Sequence, residues 1–434
     1  MDKRKLNEIE YLNWLVGQPY NIAMAITIRG NFQQQKMRVA LNKIQEKHPL
    51  LQAQLDVNKN EEPLFIWGNI SEIPLTVDNR SSDDLYKKVV EKEFTTLFET
   101  GKNCSLPLIR VKILFSEDLF DLIITMQHVI ADGMSMVFLF MDILSFIIDP
   151  KRKDEPLDIV KSIENVLPYK YQKKIPKTTG KFKRTNWFLK RIIKIYRFKN
   201  KLSRKKAKQK ELIFNNFENK HLETYDWVLS EDQSQKIIER SKENQITVQS
   251  TICTMFLSDF PIINNPVNLR DRLAYNVGRS IGCYAGGLVI KKKYKNKKSF
   301  WKNAQLYHKK LTKGLQDKSV FSIFKLFSRS VKRSSYEKFT PMFLELASRN
   351  QPFGVTNLGS LDRFNIVLAS KNFIIENLYG GVSGTFDALV ITIFTIEKKI
   401  HFHFHYYKPP HSKEEIVNFV SNAMQKLENA VKLY

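Results

Sequence analysis

Between Pro107 and Ile148 the chain reads as strand, turn, strand, turn and helix with no linker between them. Pro107 to Phe115 and Phe120 to Met126 are β-favouring runs, and Ser116-Glu117-Asp118 supplies the turn of a hairpin. An apolar stretch then begins after Gly133 and reaches Ile148, with Asp142 inside it. It is long enough for a buried helix and too short to span a bilayer. A hairpin that leads straight into an apolar helix has to bury that helix on its sheet, which predicts an α+β fold.

The same mixture recurs on both sides of one discontinuity. Tyr20 to Ile28 reads as a strand. Met37, Ala40, Leu41 and Ile44 fall at helical spacing in a helix from Gln33 to Lys47, with Asn31 as its cap and His48-Pro49 as its stop. Leu51 to Val57 alternates as a strand. In the second half, strands are predicted at Tyr225 to Leu229, Asn265 to Leu269, Gly282 to Lys291, Ile366 to Ala369, Gly384 to Ile396 and Ile400 to Tyr407. Ser230 with Gln233 and Ser412 with Glu415 are capping-box patterns that open helices, and Val248 to Leu257 reads as a buried helix.

The discontinuity lies between Tyr169 and Lys210, where 18 residues are Lys or Arg and none is Asp or Glu. A chain of 434 residues exceeds what one core usually serves. The expected division is therefore an amino-terminal lobe 1–165, a basic linker with an amphipathic helix 166–215, and a carboxy-terminal lobe 216–434. Within 187–210, Phe188, Ile192, Ile195, Tyr196 and Leu202 share one helical stripe, with lysines and arginines opposite and Trp187 at the start. That pattern fits contact with an anionic membrane surface, or with an acidic carrier protein. The formal net charge of +26 points the same way, to an anionic partner. Nucleic acid is disfavoured, since no recognition motif accompanies the charge. Three cysteines without CxxC spacing argue against a disulfide framework. Together with a polar amino terminus, this predicts a cytoplasmic protein whose membrane contact is peripheral.

The chemistry concentrates at the end of the second hairpin strand. Leu119 to His128 reads as a buried strand ending in a histidine, and Asp132 and Gly133 follow just before the apolar helix. The stretch Gln127-His128-Val129-Ile130-Ala131-Asp132-Gly133 resembles the HHxxxDG signature of the chloramphenicol-acetyltransferase-like superfamily. That superfamily includes the condensation domains of nonribosomal peptide synthetases and the alcohol and polyketide-associated acyltransferases. Three further segments resemble it in order: Ala40-Leu41 through Lys47-His48-Pro49-Leu50-Leu51, Ile281 to Gly287, and Val355-Thr356-Asn357-Leu358-Gly359. Gln127 stands where the family has its first histidine, and the second, corresponding to His128, is the one to which the resemblance assigns catalysis. No DFGWG motif is present, so the plant-type branch is not indicated.

The resemblance implies two similar mixed-sheet lobes of the CoA-dependent acyltransferase type with a channel between them. It implies transfer of an acyl group from a thioester, acyl-CoA or a phosphopantetheine arm, to a hydroxyl or amine, with no bound cofactor and no metal. His128 would be the general base, a task that suits an imidazole with an ordinary pKa of about 6.5. Asp132 would be structural and pair with an arginine: Arg270 is the candidate, with Arg272 and Arg279 as alternatives. Gly133 would start the helix or let the backbone approach substrate, and Gly282 and Asn357 would lie in the substrate site. Two other function classes remain: a stand-alone condensation enzyme acting between carrier proteins, and a non-catalytic scaffold, which the Gln127 departure keeps open. His401-Phe402-His403-Phe404-His405 puts imidazoles on one strand face as a metal pair would. It is read instead as a strand with aromatic rings inward and imidazoles outward.

Overall fold

The computed structural model describes residues 3–58, 62–101, 103–159, 167–168, 221–316, 318–321, 353–362, 373–383 and 389–431. The chain divides into two compact units. The first is Met1–Gln172 with Asn268–Ala285 and Leu361–Ser383; the second is Lys173–Val267 with Gly286–Ser360 and Gly384–Tyr434.

The first unit begins with β1 (Lys3–Lys5), α1 (Glu8–Val16), β2 (Asn21–Arg29) and α2 (Gln34–Lys47). It continues with β3 (Ala53–Val57), β4 (Pro63–Trp67), β5 (Leu75–Asn79) and α3 (Leu85–Thr95). Then come β6 (Ile109–Phe115), β7 (Leu119–Gln127) and α4 (Gly133–Ile148). The hairpin and helix predicted between Pro107 and Ile148 are thus β6, β7 and α4. β1, β4 and β3 form a small sheet in that order. The main sheet places β7 between β6 and β2, antiparallel to both, and β5 runs parallel to β6.

Alternation along β2 and β7 explains what each face of this sheet packs against. Ile22, Met24, Ile26 and Ile28 pair in register with Met126, Ile124, Leu122 and Phe120, which gives one face of large apolar side chains. Phe120 lines a cavity of about 340 Å³ with Met37 of α2 and Ile147 of α4, so the helices reach this face. The other face pairs Asn21 with Gln127, Ala23 with Thr125 and Thr27 with Asp121. Asn21 donates there to the carbonyls of Glu93 and Thr96 at the end of α3.

Two local expectations differ from what forms. Asn31 does not cap α2, whose first turn follows Gln33 with no side-chain cap. The strand expected from Leu51 starts at Ala53, because Pro49–Gln52 winds as a 3-10 turn in which the Leu51 amide donates to the His48 carbonyl.

The second unit contains β8 (His221–Val228), β9 (Ile262–Asn268), β10 (Ala285–Lys291), β11 (Phe353–Ser360), β13 (Val390–Ile396) and β14 (Lys399–Lys408). They form one mixed sheet in the order β10-β9-β11-β13-β14-β8. Its helices are α5 (Glu231–Glu243), α6 (Val248–Met255), α7 (Phe300–Gln316) and α8 (Lys413–Val431). Ile400, Phe402, Phe404 and Tyr406 of β14 enter one core with Phe256, Tyr307 and Leu427 from the helices. The capping box at Ser230 forms as predicted. Each unit mixes strands and helices, the α+β class expected.

The contiguous lobes expected from the sequence are corrected by β12 (Ile374–Val382) and by the segment 268–285. β12 hydrogen-bonds along β2 and so belongs to the first unit's sheet. Gly380 permits this: its φ is +112°, and a Cβ there would meet the Ala23 carbonyl oxygen at 2.2 Å. The strand predicted at Ile366 to Ala369 and the basic helix 187–210 lie outside the described residues.

Candidate functional site

His128 ends β7 and enters a tight turn. Its amide donates to the Tyr20 carbonyl (2.9 Å), and the Ile130 amide donates back to Gln127 (3.0 Å). From α1, the Asn13 side-chain amide donates to the His128 carbonyl (2.8 Å). The backbone of His128 is therefore held from two sides. The Tyr20 ring lies 4.6 Å from the imidazole, centre to centre.

The imidazole Nδ1 sits 2.7 Å from the Ala131 carbonyl oxygen. A carbonyl only accepts, so Nδ1 carries the proton and Nε2 carries the lone pair. Burial pushes the pKa of His128 below the ordinary histidine value, although the Ala131 bond and the Asp132 charge act in the opposite direction. The ring is thus neutral at physiological pH, with Nε2 competent to take a proton.

Asp132 follows as the N-cap of α4. One carboxylate oxygen accepts from the Ser135 amide (2.8 Å) and lies 2.9 Å from the Ser135 hydroxyl. The other accepts from Arg270 Nη1 (2.8 Å) and from the Tyr284 amide (2.9 Å). Burial alone would raise the pKa of this carboxyl, but the guanidinium and the two amides hold it below the usual carboxylate range. Asp132 thus directs both oxygens to Ser135, Arg270 and Tyr284 and ties the turn to the segment 268–285. Of the three arginines considered for this pairing, Arg270 makes it. Its Nη2 also donates to the Ser135 hydroxyl (2.9 Å), and its plane lies 4.7 Å from the Tyr284 ring centre.

Gly133 is the first residue of α4. Gly282 is buried, and its carbonyl faces Ser135 Oγ at 2.8 Å. A Cβ on Gly282 would lie 2.6 Å from the Tyr284 ring, so a side chain there would displace the ring that packs on Arg270. Asn357 lies in β11 of the second unit, where its side-chain oxygen accepts from the Gly359 amide (2.8 Å).

Three features of the site were not singled out from sequence. Cys283 lies 3.9 Å from His128 Nδ1 and accepts from Asn13 (3.4 Å). Burial pushes its thiol up to about 12, so it is no thiolate at neutral pH. Asn13 and Tyr20 carried no local signal, because they meet His128 only through the fold. The third is a second anchored carboxylate on α4. Asp142 accepts from Arg279 (2.7 Å) and His48 Nε2 (2.9 Å) and pairs with Lys47 (2.9 Å). A carboxylate inside an apolar helix has to be paired, and that signal was present at Asp142. Both carboxylates of α4 thus hold the same segment, 268–285, against His128.

Gln127 is buried and pairs in register with Asn21, on the face that reaches α3. Its side-chain oxygen makes no hydrogen bond.

In the second unit, the imidazoles of β14 are not outward as expected. His403 and His405 are 3% and 1% exposed. His405 faces Thr224 (3.0 Å) through Nδ1 and Thr392 (3.2 Å) through Nε2, and Phe394 stacks on His401.

Residues 16–174 match the sequence model of the Condensation domain family. No curated protein sequence matches the chain. Among solved structures, the fold is similar to that of the first condensation domain of the CDA synthetase (10% identity, TM-score 0.70, 99% of this chain and 96% of that chain). It is similar to polyketide synthase associated protein 5 from Mycobacterium tuberculosis (14% identity, TM-score 0.65, 99% and 97%). It is also similar to trichothecene 15-O-acetyltransferase from Fusarium sporotrichioides (11% identity, TM-score 0.66, 98% and 94%). The family match and the fold agree with the superfamily that the sequence resembles.

Proposed function

We propose that the chain is an acyltransferase that moves an acyl group from a thioester to a hydroxyl or amine, with His128 as general base. The observation that carries this reading is the bond between Nδ1 and Ala131, which leaves the Nε2 lone pair to accept a proton. The condensation-domain match supports acyl transfer in general.

In this mechanism the acceptor O–H or N–H donates its proton to Nε2 as its heteroatom attacks the thioester carbonyl. The new C–O or C–N bond forms, the C–S bond breaks, and the imidazolium returns the proton to the leaving thiolate. No enzyme thiol takes part, in keeping with the raised pKa of Cys283. Asp132 acts through Arg270 and Ser135 by fixing the turn that presents His128. The donor is acyl-CoA or an acyl group on a phosphopantetheine arm.

The match over 16–174 favours a second reading within the same chemistry, a stand-alone condensation enzyme acting between carrier proteins. Free thiol released from acyl-CoA in the presence of small alcohols and amines tests the first reading. Release only from carrier-bound acyl groups selects the second. No release from either donor, by a folded protein, returns the chain to the scaffold class. For the basic segment 187–210 we propose contact with an anionic membrane surface.

A further inference from the structure

We infer that a second, separate basic face, made by the loop 291–299 and the outward stripe of α7, binds the surface of an anionic lipid bilayer. The inference is independent of the acyl-transfer reading, because no residue of this face belongs to the site at His128.

The charge here is concentrated. Ten lysines lie between Lys291 and Lys313, and no Asp or Glu occurs from Arg272 to Gln316. Nine of the ten are exposed; Lys292 is half-buried. Among the described residues, none of the ten forms an ion pair. Lysines elsewhere do, as Lys47 with Asp142, Lys112 with Glu93 and Lys236 with Asp232 illustrate.

The charge is also held in place. Asn303 is fully buried, and its side-chain amide donates to the carbonyls of Lys295, Lys298 and Ser299 while its oxygen accepts from the Lys295 amide. One asparagine thus fixes the loop that carries five of the lysines, Lys292, Lys293, Lys295, Lys297 and Lys298. Lys310 Nζ donates to the Lys291 carbonyl and brings α7 against the end of β10. Burial pushes the Lys292 ammonium down, and Lys295, Lys310 and Lys298 push it further, which places those cations within range of one another. The first turn of α7 carries no acid, where the positive end of a helix favours one. Like charges fixed beside a helix amino terminus repel, and a docked anionic surface relieves that repulsion.

On α7, Phe300, Ala304, Tyr307 and Leu311 are buried, which turns Lys302, Lys309 and Lys313 to the opposite side. At about 100° per residue those three fall within about 40° of one another, along about 16 Å of helix. The stripe has the length of several lipid headgroups.

Chemistry selects the lipid surface over a protein or a nucleic acid. Protein interfaces are depleted in lysine and rely on aromatic anchors that become buried on binding. Here Phe300 and Tyr307 are already buried, and the Trp301 indole donates to the Ala430 carbonyl. Lysine contacts nucleic-acid phosphates too, but recognition of bases adds arginine forks and exposed stacking rings, and residues 291–313 contain no arginine. Lysine is a compact, mobile point charge, suited to a diffuse anionic surface. Each lysine near such a membrane strengthens binding about fivefold.

The test uses the full chain and vesicles of phosphatidylcholine with and without phosphatidylserine. Lys302→Gln, Lys309→Gln and Lys313→Gln are combined in one variant, since glutamine keeps helix propensity and all three side chains are exposed. The expected result is co-sedimentation of the unmodified protein with the anionic vesicles only, reversed by salt, and binding about a hundredfold weaker in the triple variant at an unchanged melting temperature. A separate deletion of 187–210 leaves a phosphatidylserine-dependent component that the triple substitution removes. Equal binding by the triple variant and the unmodified chain overturns the proposal, as does binding to neutral vesicles alone. Tighter retention of a DNA duplex or an acidic protein than of vesicles, lost in the triple variant, overturns the lipid assignment.

Discussion

Replacing Asp132 by Asn removes one negative charge from a site where four donors meet. Asn can still cap α4 through its oxygen toward the Ser135 amide. Its NH2 group, however, then takes the place of the other oxygen and faces both the Arg270 guanidinium and the Tyr284 amide, donor against donor. Arg270 is 7% exposed and, among the described residues, would be left with no counter-charge. Breaking one side of a buried ion pair costs about 3–5 kcal/mol. For a unit of this size that corresponds to a fall of about 6–20 °C in its melting temperature. The assay is thermal and urea unfolding at pH 7.5 for Asp132→Asn, Arg270→Met and the double variant. The two side chains touch, so their losses should overlap by about 2–3 kcal/mol, the double variant being far less unstable than the sum. Because the pKa of Asp132 is depressed, its contribution is present above the ordinary carboxylate value of about 3.9 and is lost as pH falls through the folded value. Losses that add to within about 0.5 kcal/mol would refute the claim that the pair holds the turn.

Other outcomes follow from neighbouring groups. Asp142→Asn takes its charged partner from the Arg279 that anchors 268–285 and leaves Lys47 to Asp154, and is expected to lower stability by about 2 kcal/mol and turnover with it; unchanged values for both would contradict the second anchor. His48 is buried with Nε2 on Asp142 and its pKa pushed down by burial, so its contribution is present above about 6.5 and lost as pH falls below it; His48→Gln should flatten the stability curve below about pH 6.5. The acid limb of the kcat/KM profile should lie below about 6.5, following the depressed pKa of His128; a midpoint above about 7 would contradict that environment. Cys283→Ala should keep turnover within about tenfold, since the mechanism uses no thiol nucleophile; abolished turnover in a folded variant would point to covalent catalysis.

What the sequence disclosed was local. β6, β7 and α4 were legible because a buried hairpin and an apolar helix each carry their own periodicity. α2 was legible from Met37, Ala40, Leu41 and Ile44, but not its start, since no side chain caps it and the Asn31 that a capping rule favours lies two residues before Gln33. The Arg270–Asp132 pair joins residues 138 apart in the chain. No periodicity reports such a contact, and only the family resemblance pointed to it. The contributions of Asn13 and Tyr20, and the pairing of β12 with β2, are long-range in the same sense. The imidazoles of β14 misled because strict alternation suggests one wet face. In a central strand both faces are covered, and there His405 meets its polar needs through Thr224 and Thr392.

The central claim is that the Nε2 lone pair of His128 takes the acceptor's proton. Its most direct test is the rate of thioester-to-acceptor transfer by His128→Ala beside the unmodified protein, with acyl-CoA and carrier-bound donors, at matched melting temperatures. The expected result is a loss of about 100-fold to 10,000-fold in kcat with the fold intact. Full turnover in His128→Ala would contradict it.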